Sequence, residues 1–120
     1  MFELTIKGNI ASAHFIKGYN GPCQNLHGHT WKIEVVIISD QLDKLGMVAD
    51  FSLLKKQLKE FLLTIDHICL NDLPYFQKVH PTTENIAKYI YEHFSSTIRP
   101  LKIKKVCAWE SETSGVVYYE

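Results

Sequence analysis

The segment CQNLHGHTW, residues 23–31, sets one cysteine and two histidines within seven positions, and a third histidine, His14, stands upstream in ASAHF. Imidazole and thiolate side chains are ordinary zinc ligands, and a deprotonated thiol is also a base or nucleophile. In an extended strand residues i and i+2 share a face, roughly 7 Å apart at Cα, whereas in a helix they point nearly opposite ways. His27 and His29 therefore chelate one ion only if a strand begins at them. Gly28 between them leaves room for close backbone approach and an unusual bend. Three neutral imidazoles with an open fourth position are what a catalytic zinc requires. No four-ligand set of cysteines and histidines occurs at zinc-finger spacing. His14 joins the pair only if the fold brings it within reach, and polar residues near a loop have many other uses.

Cys23 follows the turn-rich YNGP, so a loop presents its thiol. A nearby metal or imidazolium would lower the pKa of that thiol and make it a usable base. Cys69 in HICLN and Cys107 in KVCAW read as packing residues. Asp66 and His67, in IDHICLND, offer a carboxylate and an imidazole. Such a pair serves either as an oriented acid–base couple or as a polar helix end. Glu110, taken alone, reads as a solvent-facing strand end.

The elements that must position these groups follow from periodicity. Residues 2–10 alternate Phe2, Leu4 and Ile6 with Glu3, Thr5 and Lys7, a half-buried strand. Residues 29–39 are β-branched and aromatic and predict a second strand. DQLDKLG turns the chain, and MVADF reads as a short extended piece leading into a helix. In 52–65 Leu54, Leu58, Phe61, Leu62 and Ile65 form one apolar face, the mark of an amphipathic helix. A long connection follows, of the kind that often carries function. PTTEN starts a second helix, with Thr82 as N-cap, Glu84 in the first turn, and an apolar stripe of Ala87, Ile90, Tyr91 and Phe94. Strands over about 101–109 and 115–119 close the order ββααββ, an α+β domain with an antiparallel sheet spanning 1–120.

Composition bounds the function. The 120 residues fit one modest core, with 46% apolar and 22% charged residues. Thirteen basic residues balance thirteen acidic ones, which argues against general nucleic-acid or membrane attraction. No apolar run approaches the roughly 18–20 residues that cross a bilayer. The first residues lack a signal peptide's pattern, and three cysteines without framework spacing favour reduced thiols, so a cytoplasmic location is expected.

SAH, C-QNL-HGH, GMVADF, DHICLN, PTTEN and WESETS occur here in the order seen in the 6-pyruvoyltetrahydropterin synthase and 6-carboxytetrahydropterin synthase family, which the chain resembles from His14 to its C-terminus. The resemblance implies the tunnelling fold, a four-stranded antiparallel sheet with two helices on one face. It implies zinc (Zn2+) held by His14, His27 and His29, with Cys23 as the proton-abstracting thiolate and Asp66–His67 as proton relay. Glu110 would hold the pterin ring, Glu112 being the second candidate, with Thr82, Thr83 and Glu84 also at the substrate. Lys17 is the candidate for the triphosphate. The implied reaction turns 7,8-dihydroneopterin triphosphate into 6-carboxy-5,6,7,8-tetrahydropterin, acetaldehyde and triphosphate, on the way to queuosine and other 7-deazapurines. Only three residues separate Cys23 from H-G-H, which, with W-E-x-x-T-S, resembles the bacterial carboxy-forming branch. The pyruvoyl-forming enzyme and a folate-pathway relative that cleaves dihydroneopterin stay open, as do a non-catalytic zinc-binding or assembly domain and a pterin-binding regulatory module. The family forms trimers, usually stacked as hexamers, with sites between subunits. An independent argument agrees: a four-stranded sheet has two open edges, which a ring removes.

Overall fold

The computed structural model describes residues 1–120. Strands β1 (Phe2–His14) and β2 (His27–Ser39) form a long antiparallel hairpin, followed by α1 (Phe51–Leu63), a short α2 (Pro74–Lys78), α3 (Thr83–Thr97), β3 (Lys102–Trp109) and β4 (Gly115–Tyr118). The sheet is antiparallel in the order β1-β2-β3-β4, so β1 and β4 are its edges. This is the expected order with one short helix added in the long connection.

Period-2 alternation sends Ile6 and Ile10 of β1, Trp31, Ile33, Val35 and Ile37 of β2, and Val106 and Ala108 of β3 into the core. Leu54, Leu58 and Leu62 of α1 and Ile86, Ile90 and Phe94 of α3 join them. Each such aliphatic or aromatic side chain contributes about 1.5–3 kcal/mol when fully buried, so this shared face fixes the strand registers. Helix α1 sits close to β1 because Gly8 has no Cβ; one built there would stand 2.6 Å from Leu62 Cδ1. Asp50 caps α1 by accepting from Ser52 N–H, and Thr82 caps α3 by accepting from Asn85 N–H, as expected of PTTEN.

MVADF is a correction: it is not extended. Val48 and Ala49 bend, and Asp50 is extended only as the cap of α1; the turn in which Asp43 accepts from Leu45 and Met47 lies in the preceding DQLDKLG, where a turn is expected. Both early strands also run further towards the site than periodicity indicated, β1 to His14 and β2 from His27. Apolar alternation fades there because the inward positions carry Ser12 and the histidines. No helix is long and apolar enough to cross a membrane.

The connection after α1 is stitched to the outer edge of β1. Ala11 N–H donates to Asp66 Oδ1 at 2.7 Å, His67 N–H to Ala11 O at 2.7 Å, and Ala13 N–H to Ile68 O at 2.8 Å. Asn71 continues the seam, accepting from Phe15 N–H and donating to Phe15 O. The upper half of that edge is therefore covered, while Phe2–Asn9 is left open.

Candidate active site

Strand pairing answers whether His14 reaches the other histidines. His14 lies directly opposite His27 in the β1–β2 register, and His29 opposite Ser12. All three imidazoles therefore leave the same end and face of the sheet. Glu110 enters just beyond β3, and the ligand atoms of His14, His27, His29 and Glu110 all lie within 4.8 Å of one another.

The tautomers follow from the backbone. His14 Nδ1 is 2.7 Å from the Pro81 carbonyl and His27 Nδ1 is 2.7 Å from the Asn25 carbonyl. A carbonyl only accepts, so each Nδ1 carries the proton and each neutral ring keeps a lone pair on Nε2. Those two Nε2 atoms face each other at 2.9 Å. Between two neutral rings this is a repulsive contact, relieved by a cation placed between them. His29 Nε2 is buried without a hydrogen bond, although Glu110 Oε1 lies 2.9 Å away outside bonding alignment. A buried polar atom left unpaired calls for a partner. Burial, opposed by the Pro81 carbonyl, holds the pKa of His14 below the ordinary histidine value and keeps the ring in its metal-binding form. The three histidines fit a metal ion, with Glu110 close beside the same point.

A cavity of about 300 Å³ opens beside the cluster, lined among others by His14, Cys23, Thr82, Thr83, Glu84 and Glu110. It is at the small end of ligand pockets. A 3-10 turn, Pro22–Gln24, presents Cys23, and Ile16 N–H donates to the Cys23 carbonyl at 2.8 Å to tie that loop to the end of β1. Thr83 Oγ1 donates to Glu110 Oε2 at 2.9 Å and accepts from Trp31 Nε1 at 3.1 Å. Trp31 also stands edge-on beneath His14 and His29, with ring centroids 4.9 and 5.3 Å away.

Asp66 and His67 form a pair, Oδ2 to Nδ1, at 2.8 Å. The Ala11 N–H first, and His67 second among the hydrogen bonds, hold the Asp66 carboxyl below its usual range. His67 has φ of 55°, left-handed for a non-glycine residue, and its side chain is 80% exposed. Such strained positions cluster at functional sites. The His67 side of the pair borders a different hollow, with Ala13, Gly28 and Thr30, and neither residue lines the cavity that holds Cys23.

The remaining expected residues fall as follows. Glu112 is exposed on the β3–β4 turn, past the end of the strand that would have aligned it with Glu110, and borders the opposite face of the sheet beside Lys32 and Trp109. Lys17 is exposed on the Cys23 loop, outside the cavity lining. Cys107 is buried, its thiol pKa pushed up by burial, and Cys69 is half-buried, both as packing residues should be. Sequence reasoning missed Trp31 and the carbonyls of Asn25 and Pro81. A tryptophan two residues beyond H-x-H on the same strand face was the available signal for the first; the carbonyls left none.

Comparison with known proteins identifies the family and its fold. The family described as 6-pyruvoyl tetrahydropterin synthase matches residues 3–120. The 6-carboxy-5,6,7,8-tetrahydropterin synthase of Bacillus subtilis is 36% identical, across 98% of this chain and 84% of its own. That of Haemophilus influenzae is 32% identical across the whole of both chains. The 6-pyruvoyl tetrahydrobiopterin synthase of Homo sapiens is 35% identical, across 82% of this chain and 70% of its own. The solved structure of Caenorhabditis elegans 6-pyruvoyl tetrahydropterin synthase superposes with a TM-score of 0.87 at 26% identity, covering 99% of this chain and 95% of that one. The family model spans nearly the whole chain, and relatives above 30% identity cover most of it: this chain belongs to the 6-pyruvoyl tetrahydropterin synthase family.

Proposed function

We propose that the protein is a zinc-dependent lyase that converts 7,8-dihydroneopterin triphosphate and water to 6-carboxy-5,6,7,8-tetrahydropterin, acetaldehyde and triphosphate, a step towards queuosine and other 7-deazapurines. The observation that carries this reading is the shared cavity: a thiol, an acceptor carboxylate and the edge of a histidine cluster wall one pocket. Relatives named for the carboxy product support that branch, as does the short Cys23-to-His27 spacing.

Each residue then has a chemical task. His14, His27 and His29 would hold the zinc ion, which when bound supplies Lewis-acid polarisation of substrate oxygens. Glu110 accepts from the pterin ring N–H and the adjacent exocyclic amine, a pair of donors that a carboxylate matches. Thr82, Thr83 and Glu84 form the pterin wall, and Lys17 on the Cys23 loop is the cation assigned to the triphosphate. Cys23 takes a proton from the substrate side chain, and the Asp66–His67 pair passes protons on.

Within one chain that pair does not line the Cys23 cavity, so the working site draws it from a neighbouring copy in a trimeric or hexameric assembly. Edge geometry supports this. Asn9, Lys32, Trp109 and Gly115 lie on one level across the sheet, and Ile6, Val35, Val106 and Tyr118 on another. The open part of β1 and the free edge of β4 thus span the same height, and their union removes both edges. Exposed Trp109 and Val117, on the face turned away from the helices, would be covered in the closed ring. The assembly acts on a small molecule, in keeping with relatives named for pterin products, and its expected place is the cytoplasm, without nucleic acid or membrane as partner.

The test is incubation of 7,8-dihydroneopterin triphosphate with zinc-loaded protein and with protein stripped by chelator. Release of triphosphate by the loaded form alone is expected. No release by either form refutes the reading.

A further inference from the structure

Between the indole of Trp31 and the carboxylate of Glu110 stands one hydroxyl, that of Thr83, and its proton has a forced direction. The indole N–H is a donor only, so at 3.1 Å Thr83 Oγ1 must accept from it. The Thr83 proton is then turned to Glu110 Oε2, 2.9 Å away. Trp31 is fully buried and Thr83 is 6% exposed, so water does not compete for the indole bond, while the bond to Glu110 lies partly buried at the cavity wall. The second oxygen, Oε1, faces His29 Nε2 across 2.9 Å. One carboxylate oxygen is therefore anchored by a one-way chain that begins in the core of the sheet.

We propose that Trp31 is a positioning residue for Glu110: its indole N–H, acting through Thr83, aims the carboxylate at the cavity and keeps it an acceptor for a ligand with paired N–H donors. The ring of Trp31 packs beneath His14 and His29, but that packing role belongs to the ring face and edge, whereas the positioning role belongs to one N–H. Phenylalanine separates the two. The ligand part of this inference rests on the pterin reading of Glu110; the carboxylate part does not.

The experiment uses the full chain with zinc content checked, and compares Trp31→Phe, Thr83→Val, Thr83→Ser and the Trp31→Phe/Thr83→Val double variant. Crystal structures are expected to show the Thr83–Glu110 bond intact in wild type and broken, with the carboxylate turned, in Trp31→Phe. Calorimetric titration with neopterin is expected to show about 10-fold weaker binding in Trp31→Phe, the size of a hydrogen-bond loss at a charged group, with zinc retained. Thr83→Ser keeps the relay and should bind more tightly than Thr83→Val. Adding Trp31→Phe to Thr83→Val should weaken binding no further, because the indole acts only through the hydroxyl. An unmoved carboxylate in Trp31→Phe, or additive losses in the double variant, would overturn the inference. If Trp31→Phe does not fold, equal neopterin affinity in Thr83→Val and Thr83→Ser overturns it instead. A moved carboxylate with no neopterin binding in wild type would support the positioning and refute the pterin reading.

Discussion

Two dead variants should make a live enzyme. Cys23→Ala removes the proposed base, and His67→Ala removes the proton relay; each alone should lose about 10²–10⁴-fold in single-turnover product formation, the usual share of general acid–base catalysis. Cys23 and His67 border different cavities of one chain, so the proposed site takes Cys23 from one copy and His67 from the next. In a ring built by a head-to-tail contact, each site has one Cys23 donor and one His67 donor. When equal amounts of the two variants are unfolded together and refolded, a Cys23 donor is intact in half the sites and its neighbour's His67 in half of those. The mixture should recover about one quarter of wild-type activity per site, at least ~25-fold above either variant. Initial rates of triphosphate release, with size-exclusion chromatography to verify reassembly, read this out. A reassembled mixture no more active than its two components would place Cys23 and His67 on the same chain and refute the inter-subunit site.

Replacing His27 or His29 by alanine should remove most of the metal, measured by elemental analysis, while circular dichroism stays native; full metal retention in both variants would remove these histidines from the ligand set. Glu110→Gln should weaken neopterin binding about 10-fold or more without metal loss, since the amide presents a donor where the ligand also donates; unchanged affinity refutes the anchor. Asp66 has a folded pKa below its unfolded value, so its stabilising effect is complete above the unfolded pKa and is lost as pH falls through the folded one. The Tm of Asp66→Asn should therefore fall less than that of wild type between about pH 6 and about pH 3, and an identical slope contradicts the assignment.

How much of this was legible follows residue by residue. The H-x-H pair was, because a strand repeats every two residues and the run from Trp31 to Ile37 announces one. The place of His14 was not: its register against His27 is set by the Cys23 loop and by apolar pairs such as Ile10 and Trp31 further down the hairpin. Both helices were readable from their stripes, whereas MVADF misled because its apolar residues read as strand while Val48 and Ala49 bend to bring Asp50 to the cap of α1. Glu110 stood first through the resemblance and Glu112 second on strand spacing, and the end of β3 at Trp109 removes that spacing argument. Asp66 and His67 were picked out as a pair, but their distance from Cys23 depends on the seam along the β1 edge, a contact between segments more than fifty residues apart.

The identity of the product tests the central claim most directly. Wild-type protein loaded with zinc is incubated anaerobically with 7,8-dihydroneopterin triphosphate, the pterin is identified by mass spectrometry, and acetaldehyde is assayed in the same sample. The account predicts 6-carboxy-5,6,7,8-tetrahydropterin with one acetaldehyde released per pterin formed. A 6-pyruvoyl product without acetaldehyde, or substrate returned intact, would contradict it.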